Sequence, residues 1–362
     1  MYLNWSSPLC DTSYGLCSSY FVSELMDLGW DICLHPLGPV QLEQKFYDKF
    51  LPKLQPDQIW RWYSKAPSVK LYHQFDLHNG FPTKGPQVGF PIFELDGFHE
   101  LERKNLEDLD ILAVCSEWAR QMIWKNTNRK DIVHVVPLGV DTSIFRPLNL
   151  PKQDNIFRLF NVGKWERRKG HDILIQAFCE TFSQDDRVEL WMMSDNGWIG
   201  PEGNKKWEDL YTKSKLGNKI GIIHRVDSHD KVAQLMNCMD CGVFPSRAEG
   251  FNMEALEVLA CGKQLIITNT TAHTEFCNMG NSQLIELHGQ ELASDGVFFN
   301  GQGQWGAFDN QSFQDLKDQM RLMYELHQQD NLPVNEAGLR TAEEFSWKNS
   351  TQKLSRILEE SV

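Results

Sequence analysis

Apolar positions along the chain fall in short unbroken runs, separated by segments whose apolar residues recur at helical spacing. Runs over 69–75, 88–95, 110–116 and 132–138 read as buried parallel strands, with helical patterns over 98–109 and 117–126 between the later ones. The rhythm then repeats. Strands are predicted over 157–162, 188–193, 219–226, 242–246 and 264–268, and helices over 170–182, 229–239 and 252–260. Strands apolar on both faces that alternate with helices belong to parallel sheets covered on both sides. Because the rhythm occurs twice, the pattern predicts an α/β protein of two doubly wound domains. Residues 141–155 hold Pro147, Pro151 and no periodicity, which is the signature of a linker. Two helical patterns close the chain, 312–328 and 335–360, the second broken at Phe345-Ser346-Trp347. Ligands of open parallel sheets sit at the carboxyl ends of strands, so the site is expected on those loops, between the halves.

A length of 362 residues suits two domains, and 41% apolar with 23% charged residues excludes disorder, collagen and coiled coil. No apolar stretch is long enough to span a bilayer, and Met1-Tyr2-Leu3-Asn4-Trp5 lacks the features of a signal peptide. The formal charge is −13, with 14 basic against 18 acidic residues over 1–150 and 22 against 31 over the rest. Neither part has the basic surplus that sequence-independent nucleic-acid binding needs. Peripheral membrane contact through a local patch stays open. The nine cysteines are scattered, and Cys238-x-x-Cys241 has no second pair to complete a metal site. A reducing cytoplasm is the expected compartment.

Two stretches carry chemistry. Pro245-Ser246-Arg247-Ala248-Glu249-Gly250-Phe251-Asn252-Met253 follows a strand and opens a helix. The amides of Phe251, Asn252 and Met253 at a helix start suit a phosphate. Glu249 and Glu257, eight residues apart, suit sugar and ribose hydroxyls, since a carboxylate accepts from two adjacent donors. The plainer reading is an acidic helix start favoured by the dipole. The second stretch is Gly163-Lys164-Trp165-Glu166-Arg167-Arg168-Lys169-Gly170, with four cations in six residues at a strand's carboxyl end. Positioned cations stabilise the charge that develops on a departing diphosphate. The plainer reading is a solvated basic turn. Residues 60–99 are rich in rings, among them Trp60, Trp62, Phe75, Phe81 and Phe93, with His73 and His78 interleaved. They suit either a core or a sugar-binding surface.

Taken together, the 163–170 and 245–252 stretches, Glu257, Ala260-Cys261-Gly262 and Thr274-Glu275-Phe276 resemble the retaining family 4 glycosyltransferases, nucleotide-sugar-dependent enzymes of the GT-B fold. Cys115-Ser116-Glu117-Trp118, Val136-Pro137-Leu138-Gly139-Val140-Asp141 and Phe345-Ser346-Trp347 extend the resemblance over nearly the whole chain. It implies that Glu249 holds the donor sugar, Glu257 the ribose and Lys169 the diphosphate. Lys164 stands where most members have arginine; it supplies a point charge without the bidentate fork, with Arg168 beside it. Phe251, Asn252 and Met253 would offer amides to the phosphates. Arg225 and Val226 fall where the base pocket begins. Gly15, after Ser13-Tyr14, is the candidate for a close backbone approach to donor phosphate or acceptor. Glu94, in Phe93-Glu94-Leu95-Asp96-Gly97 at the end of a predicted strand, would orient the acceptor hydroxyl or take its proton.

The resemblance implies an N-terminal Rossmann-like acceptor domain over 1–148 and a nucleotide-sugar donor domain over 149–340. The helix over 341–362 would cross back onto the first domain. The implied function is transfer of a hexose from a nucleoside diphosphate sugar to an acceptor hydroxyl, of a glycan or related molecule, with retention. No cofactor is expected. Asp108-Leu109-Asp110 has the spacing of a metal-holding pair but lies at a helix-to-strand junction, so metal independence is expected. The rival readings are a non-enzymatic accessory chain that binds nucleotide sugar or glycan, and a nucleotide-sugar 2-epimerase.

Overall fold

The computed structural model describes residues 1–361 except 12, 56–61, 75–76, 78–82 and 151–153. Trp60, Phe75, His78, Phe81 and Pro151 lie outside the described residues. The chain divides into two compact units, Met1–Gly139 with Phe345–Val362, and Val140–Glu344.

Unit 1 is built on six parallel strands: β1 (Tyr2–Ser7), β2 (Asp31–Pro36), β3 (Ser68–Tyr72), β4 (Gln87–Pro91), β5 (Ile111–Val114) and β6 (Val133–Val135). Their order is β2-β1-β3-β4-β5-β6. The helices are α1 (Ser13–Asp27), α2 (Gln44–Phe50), α3 (Glu100–Glu107) and α4 (Glu117–Asn126). β4 is buried throughout, which explains why no polar residue interrupts it after Gln87. All four strands predicted in this unit end earlier than the sequence predicts, β3 at Tyr72 and β6 at Val135 among them. β4 stops at Pro91, so Glu94 lies three residues beyond the strand, in a half-buried loop rather than at the strand end. β5 stops at Val114, because Ser116 caps α4 by accepting from the Ala119 amide at 3.1 Å.

Gly15 also differs from expectation. It lies inside α1 and is buried, and a Cβ there would meet Cys10 N at 2.3 Å and Cys10 O at 2.6 Å. The close approach that glycine permits here is to the chain's own backbone.

Unit 2 alternates β7 (Phe157–Val162), α5 (His171–Thr181), β8 (Val188–Met193), α6 (Gly200–Thr212), β9 (Ile220–Ile223), α7 (His229–Asn237), β10 (Cys241–Phe244), α8 (Met253–Ala260) and β11 (Gln264–Thr268). There follow β12 (Gln283–Ile285), the antiparallel pair β13 (Gly289–Ser294) and β14 (Asn300–Ala307), α9 (Asn310–Gln328) and α10 (Glu336–Glu344). The six-stranded sheet has the order β12-β11-β10-β7-β8-β9, and every pairing is parallel. Phe157 and Leu159 of β7 pack with Leu174 and Phe178 of α5 and Met320 of α9 in the core. β7, first in sequence, lies mid-sheet. The chain winds outward to β8 and β9 on one side, then returns to β10 on the other. The carboxyl ends of β7 and β10 therefore flank the point where winding reverses, the place where such sheets bind ligands.

The last helix, α11 (Trp347–Glu360), belongs to unit 1. Trp347 stacks on Tyr20 at 4.9 Å, 4° from parallel, and meets Phe21 edge-on at 5.3 Å. Trp30 Nε1 donates to Ser355 Oγ at 2.9 Å. The units divide at 139/140 and 344/345, against the 148 and 340 expected. Asn237 of α7 explains the first offset: its Oδ1 accepts from the Leu148 amide and its Nδ2 donates to the Arg146 carbonyl. Those two bonds fasten the segment before β7 to unit 2. Among the described residues, no helix is long and apolar enough to cross a membrane.

Candidate active site

The loops after β7 and β10 bring the two chemically marked stretches together. Gly170, at φ 72°, caps α5, and a Cβ on it would sit 1.9 Å from the Pro245 carbonyl oxygen. Only glycine lets the two loops approach so closely. The Arg247 amide then donates to the Arg168 carbonyl at 2.7 Å. Gly163 serves in a second way: a Cβ there would lie 2.9 Å from Cδ of Lys169, so its absence gives the Lys169 stem its path.

The result is a buried cluster of four charges. Glu249 Oε1 accepts from Lys169 Nζ at 3.0 Å and from Ser246 Oγ at 2.9 Å. Its Oε2 accepts from an Arg168 guanidinium nitrogen at 2.6 Å, which also donates to the Ala248 carbonyl. The rest of that guanidinium grips Glu166 Oε2 at 2.8 and 3.2 Å. Glu166, Arg168, Lys169 and Glu249 are all 6% exposed or less. Burial opposes the charge on Glu249, but Arg168 and Lys169 outweigh it and hold the carboxyl well below the usual range. Burial likewise opposes the charge on Lys169, and Glu249 raises its pKa in return. Lys169 spends one of its three donors on Glu249, leaving two for an anion. Lys164 stands further out, its side chain 42% exposed and 3.6 Å from Glu166.

Glu257, two turns along α8, has the opposite character. It is buried, and among the described residues no donor reaches its carboxyl. Burial, with Glu254 as a second cause, raises its pKa well above the usual value. Its two oxygens suit a ligand diol. Between the glutamates, Asn252 is the N-cap of α8, with φ 77°, and its side chain accepts from Ala255 N. Phe251 is buried against Phe276, their ring centroids 5.1 Å apart. Met253 opens the helix. Arg225 and Val226 lie on the loop after β9, Arg225 exposed and Val226 half-buried.

The structure adds residues that the sequence did not mark. Glu166 stood inside the basic run without a role and is the carboxylate that orients Arg168. His171 Nδ1 accepts from the Glu166 amide at 3.3 Å, so Nε2 carries the proton and donates to Asn161 Oδ1 at 3.0 Å. Arg247 makes a two-pronged pair with Asp172 at 2.8 Å and lies 2.8 Å from Glu291 of β13. Arg167 also grips Glu291, at 2.8 Å. The β13–β14 ribbon thus closes over the basic loop, with no local sequence signal to announce it.

The Glycosyl transferases group 1 family model matches residues 157–294, the segment that carries both loops. Over that segment the chain is similar to the group 1 glycosyltransferases. Over 216 residues the chain is 31% identical to D-inositol 3-phosphate glycosyltransferase 1 of Catenulispora acidiphila, covering 56% of this chain and 50% of that one. It is 26% identical over 180 residues to the MMP alpha-(1->4)-mannosyltransferase of Mycolicibacterium hassiacum, covering 49% of this chain and 42% of that one. The chain spans about half the length of the curated relatives it matches. The fold likeness runs further. A glycosyltransferase from Rickettsia africae superposes with a TM-score of 0.72 at 16% identity, covering 99% of this chain and 98% of that one. Anabaena HepE, crystallised with UDP and glucose, superposes with 0.70 at 15%, covering 99% and 100%. The fold is therefore GT-B, with two Rossmann-like domains.

Proposed function

We propose that this chain is a retaining, metal-independent glycosyltransferase that moves a hexose from a nucleoside diphosphate sugar to a hydroxyl of a glycan or related acceptor. The observation that carries the reading is the buried Arg168–Lys169–Glu249 cluster beside the start of α8, at the winding reversal of the segment similar to the group 1 glycosyltransferases. In the reaction, the bond from the anomeric carbon to the diphosphate breaks, the acceptor oxygen bonds to that carbon, and the acceptor's hydroxyl proton passes to the departing diphosphate. Lys169 and Lys164, with Arg168 behind them, would stabilise the departing diphosphate. The backbone at Phe251, Asn252 and Met253 would cradle its phosphates. Glu249, ionised and fixed by two cations, would accept from sugar hydroxyls. Glu257 would take the ribose diol. The base would lie at Arg225 and Val226. In unit 1, Glu94 is retained as the carboxylate that orients the acceptor hydroxyl. HepE, crystallised with UDP-glucose, supports uridine diphosphate sugars as the first donors to try.

The test is a panel of UDP- and GDP-sugars, read by mass spectrometry as hydrolysis without acceptor and as transfer with one. Donor turnover is expected, and it should persist in excess EDTA. Loss in EDTA with rescue by Mg²⁺ or Mn²⁺ would overturn metal independence. Binding without any turnover would favour an accessory chain.

The two glutamates should separate by ligand. Glu249 also neutralises buried cations, so Glu249→Gln is a cleaner variant than alanine. Glu249→Gln should bind UDP about as well as wild type while losing donor turnover. Glu257→Ala should weaken both UDP and UDP-sugar, by roughly ten- to a hundredfold for a lost hydrogen-bonding carboxylate. Calorimetry on both variants decides it; equal damage toward bare UDP would refute the division.

A further inference from the structure

The turn that precedes α8 is strained, and the strain is held from one side. Asn252 has φ 77°, and Thr271 has φ 49°; they are two of four non-glycine residues at positive φ among the described residues. Such backbone persists only where neighbours over-determine it, and it concentrates at functional sites. Here the neighbours are each other's segments. Thr271 Oγ1 accepts from the Glu249 amide at 2.9 Å. The Ala272 amide donates to the Glu249 carbonyl at 3.4 Å. Phe276 covers Phe251. His273, fully buried, meets Asn252 Nδ2 through Nε2 at 2.8 Å. Its other nitrogen, Nδ1, lies 2.8 Å from the Thr268 carbonyl, which can only accept. Nδ1 must therefore carry the proton, and Nε2 is left as an acceptor for the Asn252 amide.

Asn252 is thereby fixed at both ends of its side chain. Nδ2 donates to His273, while Oδ1 accepts from Ala255 N to cap the helix. Rotating the amide would put oxygen against the His273 lone pair and nitrogen against an N–H. The arrangement has one consistent solution, and it needs a neutral imidazole. The charged groups that act on His273 are Glu249, Lys169 and Arg168; burial comes first, and the net effect lowers its pKa to about 4. The imidazole is neutral at physiological pH.

We propose that His273 is a positioning residue: by accepting the Asn252 amide it holds the left-handed turn between Glu249 and α8 in the form that receives the donor's phosphates. The assignment rests on the reading of this turn as a donor site, and it names what keeps the turn in shape.

A double-mutant cycle tests it. Glycine adopts φ 77° without strain and needs no side-chain anchor. In the wild-type background, His273→Asn can replace the Nδ1 donor but cannot reach Asn252; UDP affinity should fall tenfold or more. His273→Gln presents an acceptor near the Nε2 position and should recover most of that loss. In an Asn252→Gly background, His273→Asn should change UDP affinity less than threefold. The same four proteins are melted, so coupling is read in Tm as well as in binding. If wild type binds UDP and His273→Asn binds it equally well, the proposal fails and the donor-site reading stands. If wild type binds neither UDP nor GDP, the donor-site reading fails. The positioning claim is then decided by Tm alone: additive Tm losses overturn it, and non-additive losses support it.

Discussion

Lys169→Ala should lower donor turnover by roughly 10²-fold or more, the scale of a transition-state donor lost from a buried site. The two ammonium donors not spent on Glu249 would be gone, while Arg168 and Ser246 would still hold the Glu249 carboxylate. Steady-state kinetics on UDP-sugar should show the loss in kcat, since charge on the leaving diphosphate develops as its bond breaks. The structure supplies an independent way to make the same lesion. Gly163→Ala would place a methyl group 2.9 Å from Lys169 Cδ at a φ of 149°. It should displace the lysine and reproduce the defect without touching a charge. Wild-type turnover in Lys169→Ala would sink the assignment.

Mild acid should destabilise unit 2 strongly. His171 and His273 are both fully buried and neutral, with pKa values lowered from 6.5 to about 3 and about 4. For His171 the causes are burial first and then Lys169. A depressed folded-state pKa means that the unfolded chain binds more protons between the two values. Stability is therefore fully present above about pH 6.5 and falls as pH drops toward 4 and 3. At 1.36 kcal/mol per pKa unit, each histidine contributes on the order of 3–5 kcal/mol over that span. Glu249 acts in the same direction, below its unfolded value of 4.5. Glu257 opposes it, because its raised pKa favours the fold at low pH and that contribution fades as pH rises. Urea unfolding between pH 7 and 4 should show the decline, and His171→Asn should flatten the slope by about one proton. An unchanged slope would mean that His171 is not neutral in the folded protein.

The parts of the fold that the sequence announced are those where packing is decided locally. β7, β8, β11 and α4 lie where their apolar patterns put them. The β13–β14 ribbon was missed: Gly-Gln-Glu-Leu-Ala-Ser and Asn-Gly-Gln-Gly-Gln-Trp-Gly-Ala carry no apolar alternation, and most of their positions are not buried. α6 was missed too, because Tyr211 is its only buried residue among those described. The charged residues of the site were legible as types at spacings. Their pairing was not. That Arg168 bonds to Glu249 and Glu166, 81 and 2 residues away, follows from strand order and two glycines rather than from the run of cations itself. His273 was overlooked beside the marked Thr274-Glu275-Phe276, since a lone histidine carries no spacing signal.

Trp347 has a consequence for how the chain is made. It enters the core of unit 1 between Tyr20 and Phe21, more than three hundred residues after them. A growing polypeptide emerges from its N-terminus, so all of 140–344 is synthesised before that indole exists. The first unit to begin synthesis is thus the last to be completed. While it waits, α1 exposes the apolar side that α11 will cover, and the nascent chain is vulnerable to aggregation there.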